Sequence, residues 1–239
     1  MSSNNSTLDP ASIVIAVDGT SGSGKSSTSR GVADRLGMRY LDTGAMYRAM
    51  SWWMLSNGVD VHDTDAVAAA AGKPVITSGT DPLGPTIALD GADVSVEIRS
   101  DKVNGAVSPV ATVPEVRARL VSLQQEEIAR ALAAGTGIVV EGRDIGTAVW
   151  PQAAVKLYVT ADPAARAARR AAEEGGTDAD AVRVSLESRD KIDSTKGGAA
   201  VPEGATHLDT TPYTLEEVIA QVIEIVQTAA GATPDKAGE

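Results

Sequence analysis

The residues Gly19-Thr-Ser-Gly-Ser-Gly-Lys25-Ser26 are of the types, and at the spacing, that hold a polyphosphate. They form the pattern G-x-x-x-x-G-K-[ST], with a β-branched apolar run at 13–17 before it and a helix-forming segment after it. Glycines let the backbone curl until consecutive N–H groups converge on a phosphate, and the dipole of the new helix adds positive potential. Gly19, Thr20, Ser21, Gly22, Ser23, Gly24, Lys25, Ser26 and Ser27 are therefore the candidate ATP-binding residues. Lys25 can reach the β- and γ-phosphates, and the Ser26 hydroxyl is a candidate Mg²⁺ ligand, with Asp42 joining through water. A flexible Gly/Ser-rich turn has a similar composition, but it does not require a strand before it and a helix after it.

Charged residues recur where other predicted strands end. The run at 38–41 delivers Asp42-Thr-Gly-Ala-Met-Tyr-Arg48, and the apolar run at 137–141 delivers Gly142-Arg143-Asp144. Ligands of open α/β sheets sit at strand ends. Asp42-Thr43 also suits an ordinary helix N-cap. The cations Arg48, Arg117, Arg143, Arg166, Arg169, Arg170 and Arg189 lie mostly at strand ends or in the segment 173–200. Such a set suits two phosphorylated substrates, where charge on the transferring group is spread over fixed donors; arginines decorating helix surfaces are the plainer alternative. The Asn-Lys-x-Asp guanine motif of switch GTPases is absent. Motor ATPases place carboxylates directly after an apolar strand, whereas Glu141-Gly-Arg-Asp144 carries an arginine before its second acid.

The elements that must position these residues alternate in type. Strands entering at Ile13, Met38, Ile138, Val155 and Thr206 alternate with helices, which predicts an α/β fold with a mostly parallel P-loop-type sheet. Helices are expected at 25–36, closed by Gly37, and at 43–56, 60–71 and 113–134, the last closed by Gly135. Asp162-Pro163 starts another. Thr112-Val-Pro-Glu115 and Thr214-Leu-Glu-Glu217 have capping-box spacing, the second opening a stripe of Leu215, Val218, Ile219, Val222, Ile223 and Val226. Between 73 and 98, Pro and Gly punctuate short β-like runs at 75–76, 86–89 and 94–96, with a hairpin signal at Asp90-Gly91, so a small antiparallel lobe is inserted. The segment 173–200 has two Gly-Gly pairs, many charges and little to bury, and reads as a mobile flap. The expected layout is a disordered lead (1–11), a core (12–42, 110–172, 201–230), an acceptor lobe (43–109), a lid (173–200) and a polar tail (231–239).

Composition bounds the partners. The chain has 239 residues, 21 basic against 32 acidic for a net charge of −11, and no cysteine. A general nucleic-acid or membrane surface calls for a basic excess, so neither is expected. Disulfides and thiolate metal sites are excluded. No signal-peptide or membrane-span pattern precedes the first strand, and a cytoplasmic monomer is expected.

From about 12 to 226 the sequence closely resembles the bacterial cytidylate kinases, a family of nucleoside monophosphate kinases. The shared stretches are Asp18-Gly-Thr-Ser-Gly-Ser-Gly-Lys25, Leu41-Asp-Thr-Gly-Ala-Met-Tyr-Arg48, Leu89-Asp-Gly-Ala-Asp-Val-Ser-Val-Glu-Ile-Arg99, Val107-Ser-Pro-Val-Ala111 and Glu141-Gly-Arg-Asp-Ile-Gly-Thr147. The resemblance implies transfer of the γ-phosphoryl group of MgATP to CMP or dCMP. It implies that Arg48 and Arg143 hold the acceptor phosphate, with Asp42 and Thr43 lining that pocket. Ser108, Arg117 and Asp144 would read cytosine, and Arg189 with Asp193 would hold the sugar. Arg166, Arg169 and Arg170 would close on the donor phosphates. Lys196 falls where the family usually has an arginine on the base side of the pocket, and as a point charge it should hold cytosine less specifically. Glu141 stands where some members have Asp. The complete absence of Phe has no functional account. The rival readings are a P-loop kinase of another small acceptor, such as a different nucleoside monophosphate or shikimate, and a nucleotide sensor without turnover.

Overall fold

The computed structural model describes residues 12–173, 183 and 200–230. Five strands pair in parallel in the order β2-β6-β1-β7-β8. They are β1 (Val14–Gly19), β2 (Arg39–Asp42), β6 (Ile138–Glu141), β7 (Val155–Thr160) and β8 (Thr206–Asp209). The predicted fold class is the one observed, since β1 and β6 are buried at every position and are rich in Val and Ile. Their alternation divides the core. Ile13, Ile15, Val17 and Val139 face a layer made with Val32, Val218 and Val222, from α1 (Lys25–Arg35) and α7 (Leu215–Ala229). Val14, Ala16, Ile138 and Val140 face the opposite layer, which includes Met46 and Met50 of α2 (Thr43–Ser56) and Leu120 and Ile128 of α5 (Pro114–Ala133). Every strand of this sheet runs the same way, so their C-terminal ends line one edge. That edge carries the site.

A second, antiparallel sheet is built from β3 (Ile76–Ser78), β4 (Ile87–Leu89) and β5 (Ala92–Asp93). Asp90-Gly91 makes its tight turn, with φ of 52° and 84°. A 3₁₀ turn at Glu97–Arg99 and α4 (Asp101–Ala111) lead from this lobe to α5. The lobe is tied to the core through its loop. Tyr40 N–H donates to Thr80 O at 2.9 Å, and Arg30 of α1 donates through Nε to Pro82 O at 2.8 Å.

Several local expectations need correction. The helix expected at 60–71 is α3 (Thr64–Ala70), because the Asp63 side chain caps it by accepting from Ala66 N. The apolar run at 94–96 lies beyond β5 and leads into the 3₁₀ turn. Thr112 does not open α5. Its hydroxyl donates back to Pro109 O at 2.8 Å, leaving Val113 as the N-cap with Pro114 at the first helical position. The second capping box forms as expected, Thr214 and Glu217 satisfying each other's backbone N–H. The lead, the flap apart from Glu173, Arg183 and Ala200, and the tail lie outside the described residues. Among the described residues no helix is long and apolar enough to cross a membrane.

Candidate active site

The phosphate loop spans the gap between β1 and α1. Gly19 leaves the strand at φ 145° with its backbone pressed on Val159, and Thr20 N–H donates to Val159 O at 3.3 Å. Thr20 O accepts from Ser23 Oγ at 2.9 Å and from Lys25 Nζ at 2.6 Å. Gly24 is the N-cap of α1 in the left-handed region, and no side chain caps that end. A helix N-terminus without a side-chain cap favours an anion.

Three groups brace the loop from outside. Arg166 of α6 (Pro163–Glu173) is buried and donates to Ser21 O at 3.1 Å, its own backbone filling the space beside Gly22. Thr210, just past β8, donates from Oγ1 to Ser23 O at 2.9 Å. Arg169 holds Thr210 in turn, donating to its Oγ1 and its carbonyl at 2.8 Å each. Arg143 donates to Gly19 O. Arg166 and Arg169 therefore stand at the donor loop, gripping it or its support through carbonyl and hydroxyl oxygens. Arg170 lies on α6 with its side chain outside the described set, as are Arg189, Asp193 and Lys196 altogether.

The strand-end edge gathers carboxylates. Register sets Asp42 opposite Glu141, and Glu141 opposite Val17. Asp18 is fully buried and accepts from Ile145 N and Gly146 N at 2.7 and 2.8 Å, anchoring a π-type turn at Ile145–Val149. Burial raises its pKa, Asp144 adds to the rise, and the two N–H donors and Lys25 oppose it. That anchor fixes the position of Arg143 and Asp144 just before the turn. Glu141 is buried, accepts a short hydrogen bond from Tyr40 OH and is hydrogen-bonded to Ser26. Burial, then the Asp42 charge, pushes its pKa up to about 7 against Lys25, Tyr40 and Ser26. Asp42 caps α2 through Ala45 N at 2.9 Å, while Thr43 Oγ1 donates to Glu141 O at 2.7 Å. Among the described residues no three His, Cys, Asp or Glu side chains group to hold a metal by themselves. A hydroxyl beside buried carboxylates fits Mg²⁺, which takes few protein ligands and draws the rest from phosphates and water.

The groups expected on the acceptor side come from α2, α4, α5 and the loop after β6. Arg48 donates to Ile98 O at 3.2 Å and to Asn104 Oδ1 at 2.6 Å, which couples α2 to the 3₁₀ turn and α4. Arg117 of α5 pairs with Asp144 in a salt bridge, the acid nearly buried and the arginine partly exposed. Ser108 sits half-buried in the last turn of α4, and α4 packs on α2 and α5. Beside the N-terminus of α2, Asp42 and Ala45 line a cleft with Ser78, Thr86, Ile98 and Arg99. The structure thus brings together the loop with Arg143, Arg166 and Arg169, and separately the pair Arg117–Asp144, with Arg143 and Asp144 as the adjacent residues joining the two groups.

Sequence reading missed Asp18, Tyr40, Asn104 and Thr210 in this network, and the buried Gln124 of α5. Gln124 carried a legible signal, because it is the polar member of the i, i+4 stripe Val116, Leu120, Gln124, Ile128. The others rest on long-range partners that no local pattern marks.

Known proteins match most of the chain. The family model described as cytidylate kinase matches residues 15–228. A cytidylate kinase of Streptomyces avermitilis is 51% identical over 217 residues, covering 90% of this chain and 93% of that protein. One from Rhodococcus opacus is 46% identical over 231 residues, covering 94% and 99%. Among solved structures, a gluconokinase from Sinorhizobium meliloti aligns with TM-score 0.51 at 14% identity, covering 93% of this chain and 96% of that one, which speaks to the fold alone. With nearly the whole described core matched, the chain belongs to the cytidylate kinase family.

Proposed function

We propose that the protein transfers the γ-phosphoryl group of MgATP directly to the phosphate of CMP or dCMP, giving ADP and the diphosphate. The observation that carries this reading is the placement, at one sheet edge, of an uncapped phosphate loop and the Arg117–Asp144 pair, bridged by Arg143. Gly22, Gly24 and the other loop amides hold the donor phosphates. Lys25, which bonds Thr20 O in this structure, turns to the β- and γ-phosphates. Mg²⁺, when bound, neutralises charge on the donor phosphates, and Ser26, with Asp42 through water, would hold it. Arg48 and Arg143 take the acceptor phosphate.

No general base is needed, because a phosphate monoester with second pKa near 6 is already largely a dianion at neutral pH. Catalysis is then positioning and charge neutralisation. Cytosine offers an amino donor beside two acceptors, which matches an acceptor-only Asp144 or a Ser108 hydroxyl next to the Arg117 donors. Uracil would set O4 against a carboxylate, and such a buried mismatch costs about 1–3 kcal/mol. Arg189 and Asp193 would hold the sugar, and the segment 173–200 would close to exclude water. The working unit is a cytoplasmic monomer.

The test is a coupled assay of ADP formation with CMP, dCMP, UMP and shikimate, on wild type and Arg143→Ala. Turnover should require a cytidine monophosphate, and Arg143→Ala should lower kcat by about 10²-fold or more while ATP affinity changes little. Preference for another acceptor would sink the reading. Equal loss of turnover and ATP affinity would place Arg143 on the donor side instead.

A further inference from the structure

Three consecutive residues at the end of β1 grip the loop that carries Arg143 and Asp144. Val17 O accepts from Gly142 N–H at 3.0 Å, the Asp18 carboxylate accepts from Ile145 and Gly146 N–H, and Gly19 O accepts from the Arg143 guanidinium. Asp18 is fully buried, where a carboxyl group is costly unless its oxygens are hydrogen-bonded. The turn that it holds is fastened to Asp144, whose carbonyl accepts from Ala148 and Val149 N–H at 2.8 and 3.2 Å and from Thr147 Oγ1 at 3.3 Å. The loop has little room to shift on its other sides. A Cβ added at Gly142 would lie 2.6 Å from Thr43 Oγ1, and one at Gly146 would lie 2.9 Å from Pro202 Cγ. Gly19 is also where the phosphate loop begins, so one strand end is the origin of the donor loop and the anchor of Arg143 and Asp144.

We propose that Asp18 is a positioning residue for the acceptor. By fixing the turn behind Asp144 to the strand that starts the phosphate loop, it sets where Asp144 stands in its pair with Arg117, and with that the preference for cytosine. It acts through backbone amides and has no need to touch either nucleotide. The residue type follows from the geometry. Two successive N–H groups call for two acceptor oxygens on a short stem. Asparagine offers one oxygen and turns its NH₂ toward the other N–H, while glutamate pushes the turn away by a methylene. The inference rests on the assignment of Arg117 and Asp144 as the base-reading pair.

The experiment compares kcat/KM for CMP and for UMP in wild type, Asp18→Asn, Asp144→Asn and Gln125→Met, with KM for ATP alongside. Gln125 donates from Nε2 to Val149 O at 3.0 Å and so tethers only the far end of the same turn. Asp18→Asn should lower the CMP-to-UMP ratio on the order of tenfold, the cost of one lost hydrogen bond, with KM for ATP held within about twofold. A smaller folded fraction scales both acceptors alike, so a merely structural role does not move that ratio. Gln125→Met should leave the ratio at the wild-type value; a matching fall there would show that any loosening of the turn suffices, and the role assigned to Asp18 would be lost. If Asp144→Asn collapses the ratio while Asp18→Asn leaves it unchanged, the inference is overturned and the base-reading pair stands. If Asp144→Asn leaves the ratio unchanged, the base-reading assignment fails and the inference falls with it. Should Asp18→Asn fail to fold, Gly146→Ala decides, because it presses the same turn against Pro202 with the carboxylate in place: a lowered ratio supports the inference and an unchanged one overturns it.

Discussion

Gly19→Ala probes how tightly the phosphate loop is bound to the sheet. An added Cβ would lie 1.9 Å from Val159 O, 2.8 Å from its carbonyl carbon and 2.9 Å from its nitrogen. All three are backbone atoms of β7, so no side-chain rotation relieves the contact. Overpacking costs about 1–3 kcal/mol, a non-glycine residue at φ 145° about 1–3, and loss of the Thr20 N–H bond to Val159 O about 0.5–1.5. The sum is about 2.5–7.5 kcal/mol, a large share of the ~5–15 that holds a typical domain. Gly24→Ala is the control. Its φ is 87°, but the nearest foreign atom is Arg169 Nη1 at 3.8 Å, so only conformational strain of about 1–3 kcal/mol applies. Guanidinium unfolding followed by the fluorescence of Trp52, Trp53 and Trp150 gives both losses. Gly19→Ala should lose at least about 1.5 kcal/mol more than Gly24→Ala. Equal losses would refute the tight docking of loop on strand.

Three further outcomes are expected. Lys25→Ala should lower kcat by about 10²-fold or more with a smaller effect on melting temperature, because the lysine's hydrogen bond to Thr20 O lies within its own loop; retained activity would show that the loop is mis-assigned. Thr210→Val leaves Ser23 O and Arg169 each short of a partner, so KM for ATP should rise while KM for CMP holds; a matching rise in both would argue against a donor-side brace. For Glu141, the folded pKa near 7 lies above the ordinary glutamate value of about 4.3. The protonated form is favoured on folding, so the advantage is complete below that ordinary value and is lost as pH rises through about 7. Stability of wild type relative to Glu141→Gln, measured without metal, should fall across that window, and a flat difference would contradict the buried placement.

Legibility tracked the range of the interactions. β1 and β6 could be read because each is a short, fully buried, mostly apolar run whose burial needs no partner identity, whereas β2 and β8 bury only two residues and one. Thr214 was legible as a cap because its two partners lie within three residues. Thr112 has the same spacing, yet its hydroxyl found the Pro109 carbonyl first, and Pro114 already suited the helix start. Asp18 looked like part of the loop motif, whereas its carboxylate serves backbone amides at 145 and 146, on the neighbouring strand's exit. Tyr40 and Glu141 meet only because β2 and β6 pair in register, a fact of topology and not of local pattern. The arginines were legible as cations; that Arg166 and Arg169 brace the loop's framework depended on where α6 docks.

A crystal structure with CMP and a non-hydrolysable ATP analogue bound together tests the central claim most directly. The account predicts the cytosine amino group facing Asp144 or Ser108, its ring acceptors facing Arg117, and the CMP phosphate held by Arg48 and Arg143 in line with the γ-phosphate over Lys25. A pyrimidine seated away from Ser108, Arg117 and Asp144 would contradict it.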